Sequence, residues 1–192
     1  MNAIRSFIAI EMPASIQNQL DGIITRLKGP MTGAVRWVPA RNIHLTLKFL
    51  GDVSPANMTV LMNILRAEVG RQRSFSLSIA GLGAFPTTHR PRVLWVGVEA
   101  PPQLSALARL VENETRKLGY SPEERPFSAH LTLGRVSQNA SPLEVRQVAE
   151  TLALIQVGPL GDAAVREVVL FKSVLTPQGA EYSALLKVPL QP

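Results

Sequence analysis

His44-Leu45-Thr46-Leu47 and His130-Leu131-Thr132-Leu133 are one tetrapeptide written twice. Together they hold two of the three histidines in a chain of 192 residues. Each alternates polar and apolar residues, the period of a half-buried strand. On such a strand His44 and Thr46 share one face while Leu45 and Leu47 anchor the other, and His130 and Thr132 are set the same way. The surroundings repeat too. Phe7-Ile8-Ala9-Ile10-Glu11, Pro13, a helical pattern and the first motif are echoed by Trp95-Val96-Gly97-Val98-Glu99, Pro101, a helical pattern and the second motif. Glu11 to Glu99 and Pro13 to Pro101 are each 88 positions, and His44 to His130 is 86, a difference we assign to the intervening loop.

The echo predicts one domain over 1–192 with two interleaved lobes, approximately 5–90 and 93–190, each strand–helix–strand–helix–strand. Strands are expected at Phe7–Glu11, His44–Leu50, Phe75–Ile79, Val93–Val98, His130–Val136, Val165–Phe171 and Tyr182–Val188, the last after the turn Thr176-Pro177-Gln178-Gly179. Helices are expected over Ala14–Leu27, Asn57–Val69, Leu104–Leu118 and from Pro142 through Leu152. The fold class is α+β: two pseudo-symmetric lobes, each an antiparallel sheet with flanking helices, enclosing a central cleft.

Composition limits the chemistry. Apolar residues at 46% and charged residues at 18% describe a folded chain. The absence of cysteine excludes a disulfide scaffold, a thiol nucleophile, a zinc ribbon and an iron–sulfur site, and fits a reducing, cytoplasmic setting. Twenty Lys+Arg against fourteen Asp+Glu leave +6, which suits nucleic acid or another polyphosphate as partner, or serves only solubility. No apolar run approaches the roughly 18 residues of a membrane span. Met1 to Met12 reads as a first strand rather than a signal peptide.

Two histidines with two threonines on facing lobes suit in-line displacement at phosphorus. A neutral imidazole accepts a proton from the incoming oxygen and a charged one gives a proton to the leaving oxygen. The threonine hydroxyls donate to nonbridging oxygens, and no metal or cofactor is required. A structural histidine copied by duplication is the competing explanation of the repeat. Lys48 follows His44 by four, so a regular strand puts it on the histidine face, either to contact phosphate or RNA or as a solvated rim lysine. The turn Thr87-Thr88-His89-Arg90-Pro91-Arg92 is basic; His89 reads as a surface residue, with Arg90 and Arg92 able to steer a phosphate backbone. Trp37, Phe49, Phe127 and Tyr182 are candidates for stacking on a base, and Trp95 for the core.

The chain resembles the 2H phosphoesterase superfamily, and more closely the RNA 2′,3′-cyclic phosphodiesterases, also called 2′–5′ RNA ligases. Both tetrapeptides carry the resemblance. So do Arg36-Trp37-Val38-Pro39, Gly81-Leu82-Gly83-Ala84-Phe85-Pro86, Pro91-Arg92-Val93-Leu94-Trp95-Val96-Gly97 and Arg125-Pro126-Phe127-Ser128-Ala129-His130. The resemblance implies an RNA substrate ending in a 2′,3′-cyclic phosphate, opened to a 2′-phosphate, with a reverse reaction that joins ends through a 2′–5′ bond. It implies His44 as proton donor and His130 as proton acceptor, roles that two identical motifs cannot themselves assign. It also makes Arg135 a phosphate ligand. Arg135 follows His130 by five and points away on a regular strand, so that role requires a bulge at Gly134. A monomer with no membrane contact and no obligate protein partner is expected. A metal-dependent phosphoesterase is disfavoured because no acid lies within two residues of either motif. A non-catalytic RNA-binding module, or a relative acting on small cyclic nucleotides or 2′–5′ oligonucleotides, is an alternative.

Overall fold

The computed structural model describes residues 3–31, 33–177 and 179–192. In chain order the elements are β1 (Ile4–Glu11), α1 (Ala14–Lys28), β2 (Val35–Trp37), β3 (His44–Val53), α2 (Pro55–Ile64), β4 (Phe75–Thr87), β5 (Arg90–Val98), α3 (Pro102–Lys117), β6 (His130–Val136), α4 (Pro142–Leu154), β7 (Pro159–Val165), β8 (Glu167–Thr176) and β9 (Gly179–Pro189). The four helices fall where periodicity puts them, although α2 relaxes into a wider turn over Leu65–Val69 before Gly70. Ser141 caps α4 by accepting from the Glu144 amide while the Glu144 carboxylate accepts from the Ser141 amide.

The sheet differs from expectation in extent. β2 and β7 carry no strand pattern, and the single strand expected at Val165–Phe171 is divided between β7 and β8 at Arg166. β7 begins with Pro159 and holds Gly161 and Asp162, which its place at the sheet edge tolerates. β4 continues past Ile79 to Thr87 through two glycines. Gln178 of the expected β8–β9 turn lies outside the described residues.

All pairings between the named strands are antiparallel, in the order β7-β4-β5-β6-β3-β1-β8-β9, with β2 joined to the side of β6. That order reads the same from both ends about the β6–β3 contact: β7, β4, β5 and β6 answer β9, β8, β1 and β3. Each half-sheet draws strands from both halves of the sequence. β4 leaves the first half to pair with β5, and β8 leaves the second to pair with β1.

All four helices pack on one face. Ile16, Leu20 and Ile24 of α1, Leu61 of α2, Leu104, Leu107 and Val111 of α3 and Val148 of α4 join one core with Leu45, Leu47, Leu131 and Leu133. The four motif leucines are 5% exposed or less, and each contributes roughly 1.5–3 kcal/mol by leaving water. A one-residue slip of either strand would expose its leucines and bury its histidine, so packing fixes the face on which the imidazoles stand. On the opposite, uncovered face a smaller cluster gathers Phe7, Ala9, Val169 and Phe171 under Tyr182. No helix among the described residues is long and apolar enough to cross a membrane.

Candidate active site

β3 and β6 touch at a single register pair, Leu45 with Leu131. The pseudo-two-fold axis passes through it, and His44, Thr46, His130 and Thr132 surround it on the uncovered face. In an antiparallel pair centred there His44 lies opposite Thr132, and His130 opposite Thr46. Two residue steps along the strands and one step across put the histidine Cα atoms roughly 8 Å apart. Two imidazoles at that separation can flank one phosphate. Neither threonine hydroxyl has a protein hydrogen-bond partner among the described residues.

Each histidine is oriented by the carbonyl two residues before it. His44 Nδ1 lies 2.8 Å from Asn42 O, and His130 Nδ1 lies 2.7 Å from Ser128 O. A carbonyl oxygen only accepts, so both Nδ1 atoms carry hydrogen and both Nε2 atoms are left to titrate. A carbonyl comes with any residue type, so nothing in the sequence marks Asn42 or Ser128 for this task.

The two rings sit in different surroundings. His44 stacks on Phe7, centroids 4.6 Å apart and planes 25° apart, and meets the edge of Tyr182 at 5.3 Å. Burial pushes its pKa from 6.5 down to about 4, against the opposing pull of the Asn42 carbonyl and the Glu11 charge. His130 is more open and meets Phe85 edge-on at 4.9 Å. Burial lowers its pKa too, opposed by the Ser128 carbonyl and reinforced by the Arg135 charge. The neighbouring charges thus break the symmetry: an anion beside His44, a cation beside His130.

Strand register locates these neighbours. Glu11 pairs with His44, Ala9 with Thr46 and Phe7 with Phe49; Gly97 pairs with His130, Trp95 with Thr132 and Val93 with Arg135. Every correspondence is 86 positions, so the first strands match at 86 rather than the 88 read from the Glu–Pro echo. The 88 offset belongs to the prolines that precede α1 and α3, and the two extra residues lie between β5 and α3. Trp95 therefore stands half-buried on the uncovered face beside Thr132 instead of in the helix-covered core. Its ring takes the space where a Cβ on Gly83 would stand.

Both motif strands bulge at the last residue of the tetrapeptide. Register jumps from Thr46 to Lys48 against Ala9 and Ile8, and from Thr132 to Gly134 against Trp95 and Leu94. The extra residue, Leu47 or Leu133, reverses the alternation beyond it. Arg135 is thereby exposed on the histidine face. Lys48 is turned the other way, which corrects its expected place beside His44. It is 2% exposed, and its Nζ donates to Ser121 O at 2.7 Å and pairs with Glu112 Oε2 at 2.9 Å. Phe49, at the position matching Arg135, takes the place expected for Lys48 and is 58% exposed.

Tyr182 borders His44, Phe127 is exposed two residues before Ala129, and Trp37 packs over Gly134. His89 is exposed in the β4–β5 turn and lines a cavity of about 380 Å³ against α4 with Pro142, Val145 and Arg146. A second cavity, about 440 Å³, lies between Phe49, Asp52, Tyr120 and Ser121. Neither cavity includes His44 or His130. Among the described residues no three His, Asp or Glu side chains gather about one point that could hold a metal ion.

Known proteins resemble this chain in sequence and in fold. An RNA 2′,3′-cyclic phosphodiesterase of Methanothermobacter thermautotrophicus is 35% identical over 180 residues, covering 94% of this chain and 95% of that protein. One of Archaeoglobus fulgidus is 35% identical over 181 residues, covering 94% and 97%. The crystal structure of Escherichia coli LigT complexed with 3′-AMP superposes with a TM-score of 0.80 at 30% identity, covering 99% of each chain. The family described as LigT like phosphoesterase matches residues 10–95 and again 96–182, once around each His-x-Thr pair. A duplicated motif on a palindromic sheet and a double family match have one explanation: the chain belongs to the LigT-like phosphoesterases.

Proposed function

We propose that this chain is an RNA 2′,3′-cyclic phosphodiesterase that opens a terminal cyclic phosphate to a 2′-phosphate. The observation that carries the reading is the pair of His-x-Thr faces around one axis, each histidine with Nδ1 committed to a carbonyl and Nε2 free. Water attacks phosphorus in line with the bond to O3′. His130 Nε2 takes the water proton as the new P–O bond forms. His44 Nε2–H gives its proton to O3′ as that bond breaks, leaving a 3′ hydroxyl. Thr46, Thr132 and Arg135 donate to the nonbridging oxygens. The unequal neighbours support this division of labour: Glu11 favours a charged His44, and Arg135 a neutral His130. Burial, the largest influence on His44, lowers its pKa to about 4, and a substrate anion beside the ring raises it again. Reversed, with a 5′ hydroxyl in place of water, the same steps form a 2′–5′ bond.

The enzyme works as a cytoplasmic monomer without metal or cofactor. Incubating it with an oligoribonucleotide ending in a 2′,3′-cyclic phosphate, in excess chelator, should yield the 2′-monoester. A 3′-monoester would reverse the leaving group, and no product with chelator but product with added metal would end the metal-free reading.

A further inference from the structure

Past Thr46, β3 turns first an aromatic and then an acidic side chain to the histidine face. Phe49 lies roughly 7 Å beyond Thr46, the two steps of β1 between their register partners Ala9 and Phe7. It is 58% exposed, although the Phe7 ring is a neighbour at 6.1 Å. Asp52 is the register partner of Arg5, which alternates with Phe7 on β1, so Asp52 stands on the same face. It is exposed, and neither Arg5 nor any other described residue pairs with its carboxylate. Phe49 and Asp52 line one side of the cavity of about 440 Å³, and residues 119–123, on the approach to β6, line the other.

An exposed ring beside an unpaired carboxylate suits a flat, uncharged group that donates hydrogen bonds. No lysine or arginine lines the cavity, whereas Asp52 and Glu123 do, so it repels a phosphate. A nucleobase is flat and uncharged, and it stacks on an aromatic ring. A carboxylate only accepts hydrogen bonds, and its two oxygens match two neighbouring donors. Guanine alone among the four RNA bases carries two neighbouring donors on its pairing edge, N1–H and the 2-amino group. Adenine, cytosine and uracil each set an acceptor beside the donor, which a carboxylate repels. The leaving oxygen locates the base. O3′ belongs to the ribose, so the ribose lies on the side of His44. The Phe7 ring adjoins both the His44 ring, at 4.6 Å, and Phe49. The half around His130 offers no such platform, because Arg135 holds the position that matches Phe49.

We propose that this cavity binds the base of the nucleotide that bears the cyclic phosphate and prefers guanine, with Phe49 stacked on the base and Asp52 accepting from N1–H and the 2-amino group. The inference rests on the cyclic phosphodiesterase reading above and extends it to the identity of the terminal base.

The test compares the 2′,3′-cyclic phosphates of guanosine and adenosine with ribose 2′,3′-cyclic phosphate, which has no base. The wild-type protein should open the guanosine substrate with a kcat/KM about tenfold above the adenosine substrate, and Asp52→Asn should remove that ratio. Phe49→Ala should lower the ratio of the guanosine substrate to the base-free one, again about tenfold. A measurement independent of folding uses the wild-type protein and N1-methylguanosine 2′,3′-cyclic phosphate, which lacks the N1–H donor and should lose the preference over adenosine. A wild-type protein that does not favour guanosine, or a guanosine-to-adenosine ratio unchanged in Asp52→Asn, overturns the guanine site. A guanosine-to-base-free ratio unchanged in Phe49→Ala overturns the stacking. Failure of the wild-type protein to open any of these cyclic phosphates overturns the cyclic phosphodiesterase reading itself.

Discussion

Acidification from about pH 7 to about pH 4.5 tests how His44 is held. Its pKa falls from 6.5 to about 4 because packing with Phe7 and Tyr182 penalises the cation more than the Asn42 carbonyl and Glu11 favour it. The unfolded chain protonates this ring near 6.5. Between there and about 4 the unfolded state binds the extra proton, so stability is intact above that window and falls as pH falls through it. At about 1.4 kcal/mol per pH unit the complete loss is about 3 kcal/mol, and about 2 kcal/mol of it is reached by pH 4.5. Carboxylates titrate over the same range, so the informative quantity is a difference between proteins. Urea unfolding of the wild type and of His44→Asn at both pH values should show the wild type losing about 2 kcal/mol more than the variant. The His44 Cε1 proton should titrate near 4 by NMR. Equal losses in the two proteins, or a His44 resonance titrating above about 6, would refute the argument that burial keeps this imidazole neutral.

His44→Ala and His130→Ala should each nearly abolish turnover, and a substrate with a good leaving group should rescue His44→Ala more than His130→Ala, because water must still be activated. Equal rescue of both would remove the support for their separate roles. Thr46→Val and Thr132→Val should lower kcat/KM roughly ten- to a hundredfold, the worth of one hydrogen bond to a charged group, measured on the same cyclic substrate. Lys48→Met should act on stability instead. Stranding a buried carboxylate typically costs about 3–5 kcal/mol, and Glu112, already 27% exposed, can rehydrate, so chemical unfolding should show a loss of about 2 kcal/mol. A Lys48→Met protein of wild-type stability but with turnover reduced as far as in the threonine variants would contradict the placement of Lys48 away from the histidines.

The motif strands were legible because four leucines and a period of two leave only one way to bury them. The helices were legible because each carries an apolar stripe and a proline or serine at its start. The stretch after each tetrapeptide was only half legible. Gly134 suggests a bulge, but its counterpart in the first half is Lys48, which has no such signature, and alternation alone sends it to the wrong face. The bulge there is set by the pairing of β1, a tertiary fact. β2 is three residues long and β7 opens with strand-poor residues, so each exists because a neighbouring strand offers it a ladder. The wall around His44 was equally hidden, since Phe7, Phe171 and Tyr182 are far apart in sequence and meet only through the order β3-β1-β8-β9.

That strand order also governs when each histidine becomes useful during synthesis. The sheet around His130 is made of β4, β5, β6 and β7, all translated by Val165. The sheet around His44 begins with β1, yet waits for β8 and β9, and Tyr182 arrives within the last of these. The first motif to leave the ribosome is therefore the last to be finished, and β1 and β3 must spend that interval without their outer neighbours. A nascent or truncated chain stopped after β7 would carry a complete half-sheet around His130 and an unfinished one around His44 until its final hairpin closed.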